Sequence, residues 1–201
     1  MRVAVVDPFS GASGDMLLGA LIDVGLAVDE VAMRLAASLD LAGYRIVAET
    51  VVRQGLRGTR VQVAVESDQP SRDWAEIRTL LHESALPPRV KERALTVFQR
   101  LAEAEARVHG VPVERVHFHE VGAVDSIVDI VGVVWGFELL GVEAIACGPL
   151  PLSRGWVETA HGKLPVPAPA TAALLAEAAV PTVPLDIEAE LVTPTGAALL
   201  V

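Results

Sequence analysis

The chain has 201 residues, 52% of them hydrophobic, with a formal net charge of −10. That length suits one large domain or two small ones, and the acidic balance argues against nucleic acid as the main partner. No run of about 18 apolar residues lacks a charge or a breaker, so no membrane span is expected. The first residues, MRVAVVDPFSG, are too short an apolar run for a signal peptide and lack a cleavage pattern. One cysteine, Cys147, rules out an internal disulfide and fits a reducing cytoplasm. The chain holds no Asn, and 14 of its 16 basic residues are Arg. Asn depletion hints at a thermophile, and a GC-rich genome would give the same Arg bias.

Arg2 to Asp7 reads as a first strand, ended by Asp7-Pro8. The loop PFSGASGD follows, then Met16 to Val24 with helical spacing. Strand, glycine-rich loop and helix start together cradle anions on backbone N–H groups. The pattern is neither a Walker loop nor a dinucleotide fingerprint. Ser13 is equally a plain N-cap. Asp29 to Leu39 is a second short helix. Tyr44 to Arg53 and Gly58 to Glu66 are strands of a hairpin turning at Gln54-Gly55-Leu56-Arg57. Residues 67–71 form a polar loop, the one plausible linker.

Asp73 to Ser84 is an amphipathic helix stopped by Pro87-Pro88. Val90 to His109 is a long helix ended by Gly110, its charged residues read as a solvated face and His109 as a partner of the helix dipole. The stretch RVHFHEVGAVDSIVD, Arg115 to Asp129, concentrates the chemistry. Val116 and Phe118 alternate with His117 and His119, the period of a strand with one polar face. Glu120 starts a turn, Gly122 bends it, and Ser126 to Leu140 is a buried helix opened by Asp125. Imidazole and carboxylate together suit Zn, Ni, Fe or Mn without choosing among them. Ser126-x-x-Asp129 also resembles a capping box.

Ala144 to Leu152 is an apolar strand holding Cys147, read as a buried inert thiol or a soft-metal ligand. Gly155 to Thr159 is expected to pair back onto it. His161 lies in the loop HGKLPVPAPAT, ahead of an Ala-rich helix from Ala170 to Ala178. Glu188 to Gly196 reads as a strand leading into a helix, with Thr193 as N-cap and Pro194 first in the helix. The chain stops inside the apolar run AALLV, so a longer protein or a partner chain is expected to continue it. Interleaved strands and helices give an α/β fold: one domain over 1–201, a mixed sheet with helices packed on it, including an antiparallel hairpin.

Four separated stretches, DPFSGASGDMLLGALIDVG, HFHEVGAVDSIVDIVG, HGKLPVPAPAT and ELVTPTGAALL, resemble in this order the N-terminal region of the LarC family of nickel-insertion proteins. The resemblance runs from the first strand to the last residue. It implies insertion of Ni(II) into pyridinium-3,5-bisthiocarboxylic acid mononucleotide. The product is the nickel-pincer nucleotide of lactate racemase, and the reaction is a CTP-dependent chelatase (cyclometallase) reaction of the lyase class. It also implies a C-terminal half, absent here, that handles CTP with Mg or Mn, and a cytoplasmic homo-oligomer. Without that half the fragment should not complete the reaction.

Matching positions imply roles. Ser10, Gly11, Ser13, Gly14 and Asp15, with Thr193, Thr195 and Gly196, would bind substrate and its phosphate. His117, His119, Glu120 and Asp125 would hold nickel. Glu120 or His161 would accept the ring proton lost when the carbon–nickel bond forms. Two other classes fit the same residues: a metal- and nucleotide-binding module without turnover, and a metal-dependent hydrolase of a phosphorylated small molecule.

Overall fold

A computed structural model describes residues 1–66, 71–118 and 121–201. Most of the linker-like loop, and His119 and Glu120 of the histidine stretch, lie outside the described residues. Helix α5, Val124–Leu139, is apolar on nearly every side, and Ile127, Val128, Ile130, Val131 and Val133 are fully enclosed. A helix apolar all round must sit at the centre of the core. Around it pack α1 (Gly14–Asp23), α2 (Val28–Ser38), α4 (Pro88–His109) and α7 (Pro194–Leu200). Gly132 and Gly136 of α5 face Leu18, Leu21 and Leu26, and a Cβ at Gly136 would stand 2.9 Å from both Leu21 and Leu26. These glycines set how closely α1 approaches.

The expected class, α/β with an antiparallel hairpin, is what the chain forms. Its strands make four two-stranded ladders among the described residues. β1 (Val3–Val6) pairs in parallel with β4 (Ala144–Cys147), and β5 (Leu150–Arg154) in parallel with β8 (Thr182–Glu188). β2 (Tyr44–Arg53) and β3 (Leu56–Val65) form the expected hairpin, with a tighter turn. Gln54 and Gly55 both have positive φ, the signature of a two-residue turn whose twist matches the strands. β6 (Trp156–Thr159) and β7 (Gly162–Pro165) form the second hairpin.

Several boundaries differ from the sequence expectation. The apolar run 144–152 is two strands, because Gly148-Pro149 breaks the ladder. Residues 156–159 pair forward onto β7, not back onto that strand. Cys147 is exposed, not buried, since all four residues of β4 stand at the surface. Partial burial, and then the neighbouring Asp7 carboxylate, push its thiol pKa up. The charged face of α4 is not simply solvated. Arg89 and Arg93 pair with Glu138 of α5, and Arg107 pairs with Glu177 of helix α6 (Pro169–Glu177).

Helix α3 (Trp74–Glu83) opens with a capping box. Asp73 Oδ1 accepts from the Glu76 amide at 2.8 Å, and Glu76 Oε2 accepts from the Asp73 amide at 2.8 Å. Replacing Asp73 with alanine is expected to cost about 1 kcal/mol, a fall of roughly 2–4 °C in the melting midpoint by calorimetry.

Candidate functional site

The histidine stretch is not a full strand. A 3-10 turn, Val113–Arg115, precedes it, and His117 makes a single antiparallel bridge with Asp73. The alternation does hold: Val116 and Phe118 are buried and His117 is exposed. Phe118 packs on Phe98 with ring centroids 6.4 Å apart. The stretch is pinned to the start of α3, as the Trp74 amide donates to the Val116 carbonyl at 3.2 Å and Ser71 Oγ to the Phe118 carbonyl.

The first loop and the last helix meet directly. Ala12 and Val192 form a parallel bridge, with Ala12 N–H donating to the Leu191 carbonyl at 2.8 Å and Thr193 N–H to the Ala12 carbonyl at 3.0 Å. Gly11 (φ +124°) has no room for a Cβ against the Leu191 carbonyl, and Gly196 has none against the Ala12 backbone. Glycine is required at both for this approach. Thr193 caps α7, accepting from the Gly196 amide at 3.2 Å. Ser13 holds the N-cap position of α1 but makes no cap bond; its hydroxyl donates to the Asp15 carboxylate.

A cavity of about 400 Å³ opens at this junction, lined by Ser13, Gly14, Asp15, Asp125, Ser126, Asp129, Glu190, Thr193 and Thr195 among others. Of the sequence candidates, it brings together Ser13, Gly14, Asp15, Thr193, Thr195 and Asp125. Gly11 and Gly196 do not line it; they permit the close backbone approach of the two segments that do. Ser10 is exposed on the preceding turn. His117 is not among the lining residues. His161 lines an adjoining cavity with His109 and Glu105. The two imidazole rings there meet at a tilt of 48° with 4.9 Å between centroids, and His109 Nε2 lies 3.3 Å from Glu105. Glu190 and Pro194 border both cavities.

Sequence reasoning missed two members. Asp129 was open to a capping role, yet α5 begins earlier and has no side-chain cap. Asp125 and Asp129 are one helical turn apart, and that i, i+4 spacing was the available signal. Glu190 opens the stretch ELVTPTGAALL, and that position was its signal. Asp129 is strongly perturbed: its Oδ1 is buried without a hydrogen-bond partner. Burial first, then Asp15, then Asp125, raises its pKa from 3.8 to about 8. Gly14 brings α1 against it, since a Cβ there would stand 2.7 Å from Asp129 Cβ. Among the described residues, four carboxylates and no Lys or Arg line the cavity, so its field favours a cation. Among the described residues, no three His, Cys, Asp or Glu side chains stand ready-made to hold a metal ion.

Fold and site thus define an α/β protein with an acidic cavity built where the first loop meets the segment leading into α7. A family model for the nickel insertion protein matches residues 4–201. Curated relatives cover the chain from end to end. A putative nickel insertion protein of Thermomicrobium roseum is 79% identical over 100% of this chain and 50% of its own length. One from a Geobacter species is 55% identical over 100% of this chain and 51% of its own. The pyridinium-3,5-bisthiocarboxylic acid mononucleotide nickel insertion protein of Desulfitobacterium hafniense is 50% identical over 100% of this chain and 49% of its own. No solved structure matches. The chain belongs to the nickel insertion protein family, and it spans about half the length of the curated relatives it matches.

Proposed function

We propose that this chain is the nickel-handling half of a protein that inserts Ni(II) into pyridinium-3,5-bisthiocarboxylic acid mononucleotide, as the name of the Desulfitobacterium relative indicates for that protein. The observation that carries the reading is the carboxylate-lined cavity around Asp129, whose Oδ1 is buried without a partner. Asp125 and Asp129, with Asp15 across from them, supply hard oxygen donors for the incoming metal. His117, His119 and Glu120 remain proposed ligands along the same stretch of chain. The substrate's thiocarboxylate sulfurs are softer than carboxylate oxygens, so nickel passes downhill from protein to substrate. The hydroxyls of Ser13, Thr193 and Thr195, with Ser10, Gly11, Gly14 and Gly196 shaping the loops, meet the mononucleotide once the metal offsets the acidic field. The ring carbon loses its proton as the carbon–nickel bond forms, and His161 in the adjoining cavity, or Glu120, accepts it.

In the whole protein this reaction is CTP-dependent, with Mg or Mn held by the other half. It is a chelatase step of the lyase class in lactate racemase cofactor maturation, run by a cytoplasmic homo-oligomer. Among the described residues no helix is long and apolar enough to cross a membrane. Because the chain spans half of its relatives' length, a second reading stands beside this one: binding of metal and nucleotide here, with turnover needing both halves.

Calorimetric titration of nickel into the chain tests the site. The Asp125→Asn/Asp129→Asn double variant is expected to lose at least tenfold in affinity while keeping its far-ultraviolet circular dichroism. Unchanged affinity and stoichiometry would remove the cavity from the mechanism. Product formed by this chain alone on adding nickel and mononucleotide would exclude the second reading.

A further inference from the structure

The β1/β4 ladder is open where parallel sheets are normally closed. Parallel strands belong in sheets covered on both faces, and two strands alone are marginal in water. By the register, Val3 and Val5 share one face with Ala144 and Ala146, and that face carries no polar side chain. Val5 is 80% exposed and Val3 41%. On the other face Ala4 and Val6 pack on the core, while Ile145 stands 43% exposed. Beside it lies a hollow of about 330 Å³ with an apolar floor that includes Val134, Phe137, Ile145 and Leu199, rimmed by Arg93, Arg100 and Glu143. Helix α7 therefore delivers the end of this chain into that hollow. Family relatives carry about as many residues again as this chain aligns to.

From this we infer that the half of the protein beyond Val201 seats on the β1/β4 ladder, filling the hollow and covering the outer face of Val3, Val5, Ala144 and Ala146. A continuation leaving α7 reaches this surface with no intervening span to cross. Its first residues bring apolar side chains to the floor of the hollow and polar ones to Arg93, Arg100 and Glu143, and it adds backbone pairing along the free edges of the ladder. The inference rests on the two-half reading of the protein but not on nickel, so its test uses neither metal nor nucleotide.

Cysteines placed singly at Val5 or Ile145, in a Cys147→Ala background, report the surface by maleimide labelling. In this chain both Val5→Cys and Ile145→Cys are expected to label as fast as Val24→Cys, an exposed control at 72%. In the intact, twice-as-long Thermomicrobium relative, cysteines at the matching positions are expected to label at least tenfold more slowly than its matching control. Fast labelling in the intact relative would overturn the inference. So would protection already present in this chain alone, or protection in the relative that disappears on dilution to monomer, both of which would assign the surface to a second copy.

Discussion

Replacing Asp129 with asparagine is expected to make the protein more stable above pH 8 and to flatten its stability between pH 4 and 8. The Asp129 carboxyl ordinarily titrates at 3.8, and in the fold at about 8. A folded-state pKa above the unfolded one means the native state binds the extra proton, so the stabilisation is complete below about pH 4 and drains away as pH rises to about 8. At about 1.4 kcal/mol per unit the full linkage value is roughly 6 kcal/mol. Relaxation and water entry in a cavity open to solvent bring the expected difference to about 2–3 kcal/mol. Asparagine keeps the shape, carries no charge, and can donate toward Asp15 and Asp125. Urea unfolding of both proteins at pH 5, 6.5 and 8.5 reads the difference directly. Curves that stay parallel across that range would show that Asp129 is not held neutral.

The second large effect is Gly196→Ala. The added methyl group would press on the Ala12 carbonyl and the Ser13 amide, which are backbone atoms locked by the Ala12–Val192 bridge. Neither can rotate away, so the first loop and α7 must separate. A loss of about 3 kcal/mol is expected, or a fall of roughly 6–12 °C in melting midpoint. Gly58→Ala is the control. Nothing lies within 4 Å of its Cβ position, and a strand prefers alanine to glycine, so its change should stay within about 0.5 kcal/mol. Equal melting points for the two variants would mean that the junction yields.

Much of this architecture was written in local pattern. The alternation of Val116, His117 and Phe118 reads correctly because a one-residue slip would bury the imidazole and expose the ring. Thr193 before Pro194 is a cap in the sequence and a cap in the fold. What pattern did not reveal depends on partners far along the chain. The run 144–152 looks like one strand, and only its separate partners, β1 and β8, show why it is two. Cys147 sits in an apolar segment, and whether such a segment is covered is decided by what lies over it. Asp129 looked equally suited to a cap because a carboxylate near a helix start serves both ends. The proximity of Gly14 separates the alternatives, and it lies 115 positions earlier in the numbering.

The Ala12–Val192 bridge also sets a timetable. Segments separated by 180 positions must find each other before the carboxylates share a chamber, a closure whose entropic cost grows with the loop it completes. During synthesis the ribosome would release Asp15, Asp125 and Asp129 well before Thr193, so the nascent chain carries scattered acids and no ion trap. Capacity for metal should switch on only when α7 has docked against the first loop.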